Sequence, residues 1–450
     1  GLWRHAPWLE LAPACRLERL SARAVGPLAV DVRAASACQG GELRLEVRRR
    51  AAPGAAPGAA LGVAQGPCCG DAVRVALAAP LARWHPDSPV LYEVVARFHA
   101  GTSGSADADD VVIQHFAWRE VAVIGGRVHL NGAPVFMHGV LYQGYWPESL
   151  LTPPHAEALE QDLRAIKIAG FNTVRVHGVV MGAQFYELCD VLGLLVWQDM
   201  PSGDGRVLPV WEHRRAAADE SARVMRQPTR ANEIVRTAES RHGFRAELEA
   251  MLKWLDPFAS VVVWVLFNEG WGQSETRATV EWLRELDPTR LIDAASGWNE
   301  VPKGETPLGD LADVHNYEGR PWGDLNETFR HWPFEVAGRA KVLGEYGGLA
   351  LPVPGHEWAP EMSWGYGGAA ATAEELRERL GALVGRLSRL LSEEGLSAAI
   401  YTQWNDVESE INGLLTYDRV PKLPLDIIRS SMSQRVYDAF DDCIGQEHAE

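Results

Sequence analysis

The strongest constraint on what this chain can fold into is a change of hydrophobic period near residue 120. Before that point apolar and polar residues alternate. Leu43, Leu45 and Val47 interleave with Glu42, Arg44, Glu46 and Arg48, and Val73, Val75 and Leu77 repeat the pattern. The run from Leu91 to Phe98 predicts another strand. A period of two buries one face of each strand, so short strands at this spacing predict an antiparallel sandwich over residues 18–118. An Ala/Pro/Gly tract from Ala51 to Gly66 interrupts it. The tract is too poor in large side chains to bury a core and is expected to be a flexible loop insertion.

Beyond residue 120, short apolar runs alternate with helical stretches. The predicted strands are Val135–Val140, Thr173–His177, Leu194–Gln198, Val261–Phe267, Leu291–Ala294, Ala312–His315, Lys341–Glu345 and Ala398–Trp404. Helices are predicted at Pro154–Ala169, Ala183–Leu192, Phe244–Leu255, Gln273–Leu286 and Ala373–Leu391. Val261–Phe267 is apolar throughout, as in a parallel strand covered on both faces. This alternation predicts a (β/α)8 barrel over residues 119–450. The polar segment from about 203 to 243 is long for a loop and is expected to hold extra helix.

Composition excludes several partners. A net charge of −17 argues against a phosphate backbone, so no nucleic acid is expected. No apolar run reaches the roughly 18 residues that span a bilayer, so no membrane partner is expected either. Neither the compartment nor the oligomeric state can be read. The six cysteines, Cys15, Cys38, Cys68, Cys69, Cys189 and Cys443, form no C-x-x-C pair or ligand-spaced cluster. They read as free structural thiols; no metal site and no cofactor is expected. Most of the seventeen tryptophans are expected in the core, but a Trp face can also stack on a sugar ring, so those near a site are informative.

Barrel enzymes carry their reacting groups at the C-terminal ends of the strands. The fourth predicted strand ends in Phe267-Asn268-Glu269-Gly270, and the seventh in Gly344-Glu345-Tyr346-Gly347. Two carboxylic acids thus point to one mouth, as glycosidic hydrolysis requires: one protonates the leaving oxygen and the other attacks or activates water. The second strand brings Arg175 and His177, the sixth His315 and Tyr317, and the eighth Trp404. Arg175 and Tyr317 would hold a nucleophilic carboxylate ionised, Trp404 would form a floor for a sugar ring, and Asn268 would donate to a sugar hydroxyl.

At these residues the chain resembles glycoside hydrolase family two. Trp84-His85-Pro86 and Pro89-Val90-Leu91-Tyr92 resemble the family's immunoglobulin-like sandwich, and Leu130-Asn131-Gly132 with His138-Gly139-Val140 the entry to its barrel. Asp162, Gly170-Phe171-Asn172-Thr173-Val174-Arg175, and Asp190 with Gly193-Leu194-Leu195-Val196-Trp197 resemble the following units. Gly1 to Glu10 looks like the last strand of an N-terminal jelly roll, so residues 1–17 are expected to be its remnant and the chain to behave poorly alone. The resemblance implies a retaining exo-glycosidase, with Glu345 as nucleophile, Glu269 as acid/base, and His138 among the substrate contacts. A β-galactoside is the default substrate; β-glucuronide, β-mannoside and α-L-arabinofuranoside remain alternatives. After Arg175 the chain reads Val176-His177-Gly178, a departure from the better-known members. Two other readings stay open: a catalytically silent carbohydrate-binding or scaffold protein, and an endo-acting barrel glycosidase.

Overall fold

The computed structural model describes residues 15–38, 40–52, 54–100, 110–204, 233–297, 299–300, 304–317 and 335–447. They form two compact units. The first holds the chain up to Glu120 together with Leu252–Ser260; the second holds Val121–Met251 and everything from Val261 onward.

The first unit has seven described strands: β1 (Leu17–Gly26), β2 (Ala29–Ser36), β3 (Glu42–Arg49), β4 (Ala60–Pro67), β5 (Val73–Ala76), β6 (Tyr92–His99) and β7 (Asp110–Phe116). They form two antiparallel sheets, β1-β2-β5 and β4-β3-β6-β7. Alternation decides which faces meet. Val30, Val32 and Val75 share one core with Leu43, Leu45, Val47, Val94 and Phe98, while Arg44 and Arg74, on the alternate positions, are exposed.

Two expectations need correction here. The second half of the Ala/Pro/Gly tract is not a loop: Ala60–Pro67 is strand β4, paired antiparallel to β3. Its small residues have a packing reason. A Cβ on Gly62 would sit 2.3 Å from the Ala76 carbonyl oxygen, and one on Gly66 would sit 2.8 Å from Val73. These glycines let an edge strand approach β5 closely, a use of glycine that composition alone hides. The second correction concerns the thiols. Cys15 and Cys38 form a disulfide, with Cα atoms 5.2 Å apart. The β1–β2 ladder pairs Leu17 with Ser36, and the Ala37 N–H donates to the Arg16 carbonyl, so the chain ends flanking the ladder are brought together. Cys68, Cys69, Cys189 and Cys443 are free. The jelly-roll reading of Gly1–Glu10 lies outside the described residues, which begin at Cys15.

The second unit opens with a small antiparallel sheet of β8 (Val121–Ile124), β9 (Arg127–Leu130) and β10 (Ala133–Pro134). The barrel strands follow: β11 (Met137–Tyr142), β12 (Thr173–Val176), β13 (Leu195–Asp199), β14 (Val261–Val265), β15 (Leu291–Asp293), β16 (Leu311–Tyr317) and β17 (Ala340–Gly347). A short parallel pair, β18 (Leu349–Ala350) and β19 (Tyr366–Ala369), precedes the last barrel strand, β20 (Ala398–Thr402). The parallel sheet runs β15-β14-β13-β12-β11-β20-β17-β16. It is nearly closed: between β15 and β16, Asp310 bridges instead, its N–H donating to the Ile292 carbonyl and its carboxylate accepting from the Ile292 N–H.

Helices α1 (Ala156–Ile168), α2 (Ala183–Leu192), α3 (Ala238–Leu255), α4 (Thr276–Leu286) and α5 (Ala373–Glu394) lie between strands. Their ends follow local chemistry. Thr372 caps α5 by accepting from the Glu375 N–H, and Gly193 and Gly395 close α2 and α5 in the left-handed conformation. Helix α3 begins six residues before the predicted start; part of the polar segment from 203 to 243 is therefore helix, and residues 205–232 of it lie outside the described chain. A last helical stretch, Leu425–Ile428, Arg429–Ser433 and Gln434–Glu447, includes a π-helical turn that the periodicity did not suggest. No described helix is long and apolar enough to cross a membrane.

Candidate active site

Because the barrel strands are parallel, the residues at their C-terminal ends gather at one mouth. Beyond β14 the chain continues as Leu266-Phe267-Asn268, bridging to Ser296, and then turns at Glu269. Glu269 has a φ of +51°, a left-handed conformation that costs a side-chain-bearing residue of order 1 kcal/mol or more. Two contacts hold it there. Its N–H donates to the Ser296 carbonyl at 2.9 Å, and its Oε1 lies 2.9 Å from Nδ1 of His315.

Glu345 lies in β17 and is almost fully buried. The Tyr317 hydroxyl donates to its Oε2, and the Tyr317 ring is stacked on Tyr366 at 3.9 Å. Its Oε1 is buried without a hydrogen-bond partner. Two cations face that oxygen, the Arg175 guanidinium at 3.4 Å and His315 at 3.6 Å. Burial alone would raise the Glu345 carboxyl, but His315, Arg175 and His177 together hold it below the usual carboxylate range. The preceding Gly344 is required: a Cβ there would meet the Asp313 carboxylate at 2.0 Å.

Arg175 organises the floor of the site. Its Nε and one terminal nitrogen form a bidentate pair with Asp199 at 3.0 and 2.9 Å. The guanidinium also donates to the Asn268 side-chain oxygen at 2.9 Å and to the Gly344 carbonyl at 3.0 Å. With its oxygen so engaged, Asn268 keeps its amide nitrogen as the donor for a further partner. Asp199 also accepts from His177 Nδ1 at 2.9 Å. Arg175, Asn268, His177, Tyr317, His315, Glu269 and Glu345 are thereby assembled in one network.

Behind His315 runs a polar chain that the sequence did not suggest. Its Nε2 lies 2.8 Å from the Ser296 hydroxyl, which donates to Asp313 at 2.5 Å. Burial and the neighbouring Asp313 push the carboxyl of Asp293 well above the usual carboxylate range. Burial alone would lower the His315 pKa, but Glu345, Asp313 and Glu269 around the ring raise it to about 10. One oxygen of Glu269, a ring nitrogen of His315 and one oxygen of Glu345 all lie within 4.8 Å of one another. The spacing of this trio is compatible with a cation, which would have to displace the His315 proton to bind.

The His315 charge has a thermodynamic consequence. The ordinary imidazole value is 6.5, so the stabilisation from the raised pKa is complete below about 6.5 and is lost as pH rises towards about 10. Denaturant unfolding from pH 7 to pH 9 should therefore show stability falling with a slope approaching one proton, and His315→Gln should flatten it. Equal slopes for the two chains would show that His315 is not held charged.

Two residues expected at the site, His138 from the family resemblance and Trp404 from its strand end, do not line it. His138 is the second residue of β11, at the N-terminal side of the barrel; its ring is fully buried against Phe171 and its Nε2 lies 3.1 Å from the Tyr346 hydroxyl. Burial lowers its pKa to about 3, so it is a neutral core residue. Trp404 is at the mouth end but fully buried, and its indole N–H donates to Asp162 of α1 at 2.6 Å. It anchors a helix to the strand ends and offers no face to a sugar. Among the described residues an exposed aromatic, Trp364, packs edge-on against Tyr366, which stacks on Tyr317. Of the residues missed, Asp199 and Asp313 carried a usable signal, a strand-end position and alternation with His315. Ser296 and Tyr366 sit in loop or short-strand sequence with none.

The family description "Glycosyl hydrolases family 2, TIM barrel domain" fits residues 121–351. A beta-galactosidase of Pseudoalteromonas haloplanktis is 26% identical over 223 residues, 50% of this chain and 19% of that one. One from Aeromonas hydrophila is 26% identical over 250 residues, 54% and 21% of the respective chains. The chain thus spans about a fifth of the length of the curated relatives it matches. Among solved structures, a beta-D-glucuronidase of Dictyoglomus thermophilum superposes with a TM-score of 0.69 at 18% identity, over 93% of this chain and 68% of that one. The beta-glucuronidase of Ruminococcus gnavus, in complex with uronic isofagomine, gives 0.68 at 17% identity, over 93% and 68%. Identities this low speak for a shared fold.

Proposed function

We propose that this chain, which belongs to family 2 of the glycosyl hydrolases, cleaves terminal non-reducing sugars from glycosides with retention of configuration. Glu345 attacks the anomeric carbon through its unpartnered Oε1 and forms a glycosyl ester. Glu269 protonates the departing oxygen and then draws a proton from the water that hydrolyses the ester. Arg175 and Tyr317 keep Glu345 ionised and aimed, and Asn268 donates to a sugar hydroxyl. A β-galactoside is the default substrate, in line with the names of the curated relatives. We read residues 18–118 as the family's immunoglobulin-like sandwich and 119–450 as its catalytic barrel. The two antiparallel sheets and the parallel barrel support both.

The carrying observation is the approach of the two carboxylates within 4.8 Å. Retaining enzymes keep their carboxyl groups about 5–5.5 Å apart, whereas inverting ones leave about 6.5–9.5 Å for a water. Azide tests this. Glu269→Ala should still form the ester from an aryl glycoside with a good leaving group, then stall. Azide should speed the second step and give a β-glycosyl azide from a β-glycoside. An α-azide, or no acceleration, would contradict the assignment.

A further inference from the structure

The loop after β20 carries a third carboxyl group to the mouth. Val407 and Glu410 close a tight turn through paired backbone hydrogen bonds of 3.1 and 3.0 Å, and Glu410 bridges to Trp364. Trp364 leads through Tyr366 and Tyr317 to Glu345. From the opposite side, a chain of amides starts at Gln143 and Gln403, the first residues beyond β11 and β20. Gln143 Nε2 donates to Gln403 Oε1 at 2.7 Å, Gln403 Nε2 to Asn412 Oδ1 at 3.0 Å, and Asn412 Nδ2 to Glu410 Oε1 at 2.8 Å. One oxygen of Glu410 is thus fixed from behind.

The charges around Glu410 are telling. Burial, opposed by the Asn412 hydrogen bond and reinforced by Glu345 and Glu269, lifts its carboxyl to about 7, so it shares the field of the reacting pair. The nearby described cations all face carboxylates already. Arg175 and His177 are paired with Asp199, and His177 is the one that opposes the rise at Glu410. His315 faces Glu269 and Glu345, Lys422 donates to Asp406 at 2.7 Å and to the Ile411 carbonyl, and Arg419 holds Asp162 and the Gly144 and Tyr417 carbonyls. The buried, unpartnered Oε1 of Glu345 marks where a ligand's carbon arrives.

We propose that Glu410 is a specificity-determining residue: it accepts hydroxyl protons from a sugar without a carboxylate and turns uronic acids away. This rests on the glycosidase reading given above. A sugar hydroxyl can donate to Glu410 at no charge penalty. A uronate would bring a further anion beside Glu345, Glu269 and Glu410, where Arg175, His177 and His315 are already shared among Asp199, Glu345 and Glu269.

Two measurements on the 450-residue chain test this. The first compares nitrophenyl β-galactoside, β-glucoside, β-mannoside and β-glucuronide. The best neutral sugar should exceed the glucuronide in kcat/KM by about 100-fold or more, and Glu410→Gln should raise KM for that neutral sugar by about 10-fold with little change in kcat, since this contact binds and does not react. Glucuronide as the preferred substrate, or an unchanged KM in Glu410→Gln, would overturn the proposal. The second is calorimetric binding of D-galactono-1,5-lactone and D-glucono-1,5-lactone against D-glucaro-1,5-lactone. The two neutral lactones should bind more tightly, whereas tighter binding of the glucaro-lactone overturns the proposal. If no glycoside in the panel is cleaved, the glycosidase reading fails, yet the lactone preference still decides the role of Glu410.

Discussion

Glu345→Gln should lower turnover of an aryl glycoside by at least about 10⁴-fold, because it removes the atom that forms the covalent intermediate. The amide is isosteric and can still accept from Tyr317, so the fold should survive. What changes is the balance around Oε1. Arg175 at 3.4 Å and His315 at 3.6 Å lose the carboxylate they face. The His315 pKa should therefore fall along with activity, since Glu345 is the strongest influence raising it against burial. Steady-state kinetics with circular dichroism on the same sample measures both the lost rate and the retained fold. A folded variant that keeps near-native rates would remove Glu345 from the mechanism.

Arg175→Met should cost the fold itself about 3–5 kcal/mol, the usual penalty for breaking a buried ion pair by deleting one partner. The guanidinium is fully buried and satisfies Asp199, Asn268 and the Gly344 carbonyl at once while facing Glu345. Methionine fills much of the volume but leaves Asp199 with His177 alone and Glu345 with less positive charge. Activity should fall further than stability, because Glu345 loses one of the charges that keep it ionised. Denaturant titration gives the stability change; the pH profile of kcat/KM gives the other, with its acid limb moving to higher pH. A limb that stays in place would mean that Arg175 is scaffolding only.

The barrel was legible because its strands are short apolar runs covered on both faces, and every one of the eight predicted runs overlaps a barrel strand. The reacting residues were legible because a parallel barrel fixes where strand ends point, so Glu269 and Glu345 could be paired before any geometry was known. Loops obey no such rule. Glu410 and Ser296 reach the mouth through turns whose direction depends on tertiary contacts. Trp404 shows the reverse error: it occupies the right strand end, but Asp162 captures its N–H and buries the ring. His138 shares a strand with mouth residues yet sits at its other end. Composition misled twice in the first unit, once by hiding a strand among glycines and once by hiding the Cys15–Cys38 pair behind a separation of 23 residues.

The most direct measurement is to trap the intermediate. The 2-fluorine of a 2-deoxy-2-fluoro glycoside destabilises the oxocarbenium-like transition states of both steps, and an activated leaving group restores the rate of the first alone, so the ester accumulates. Incubation should add one fluoroglycosyl unit to the intact chain, and peptide mapping should place it on Glu345 in the segment Gly344-Glu345-Tyr346. A label on Glu269, or rapid turnover with no labelled chain and an inverted product, would contradict the account.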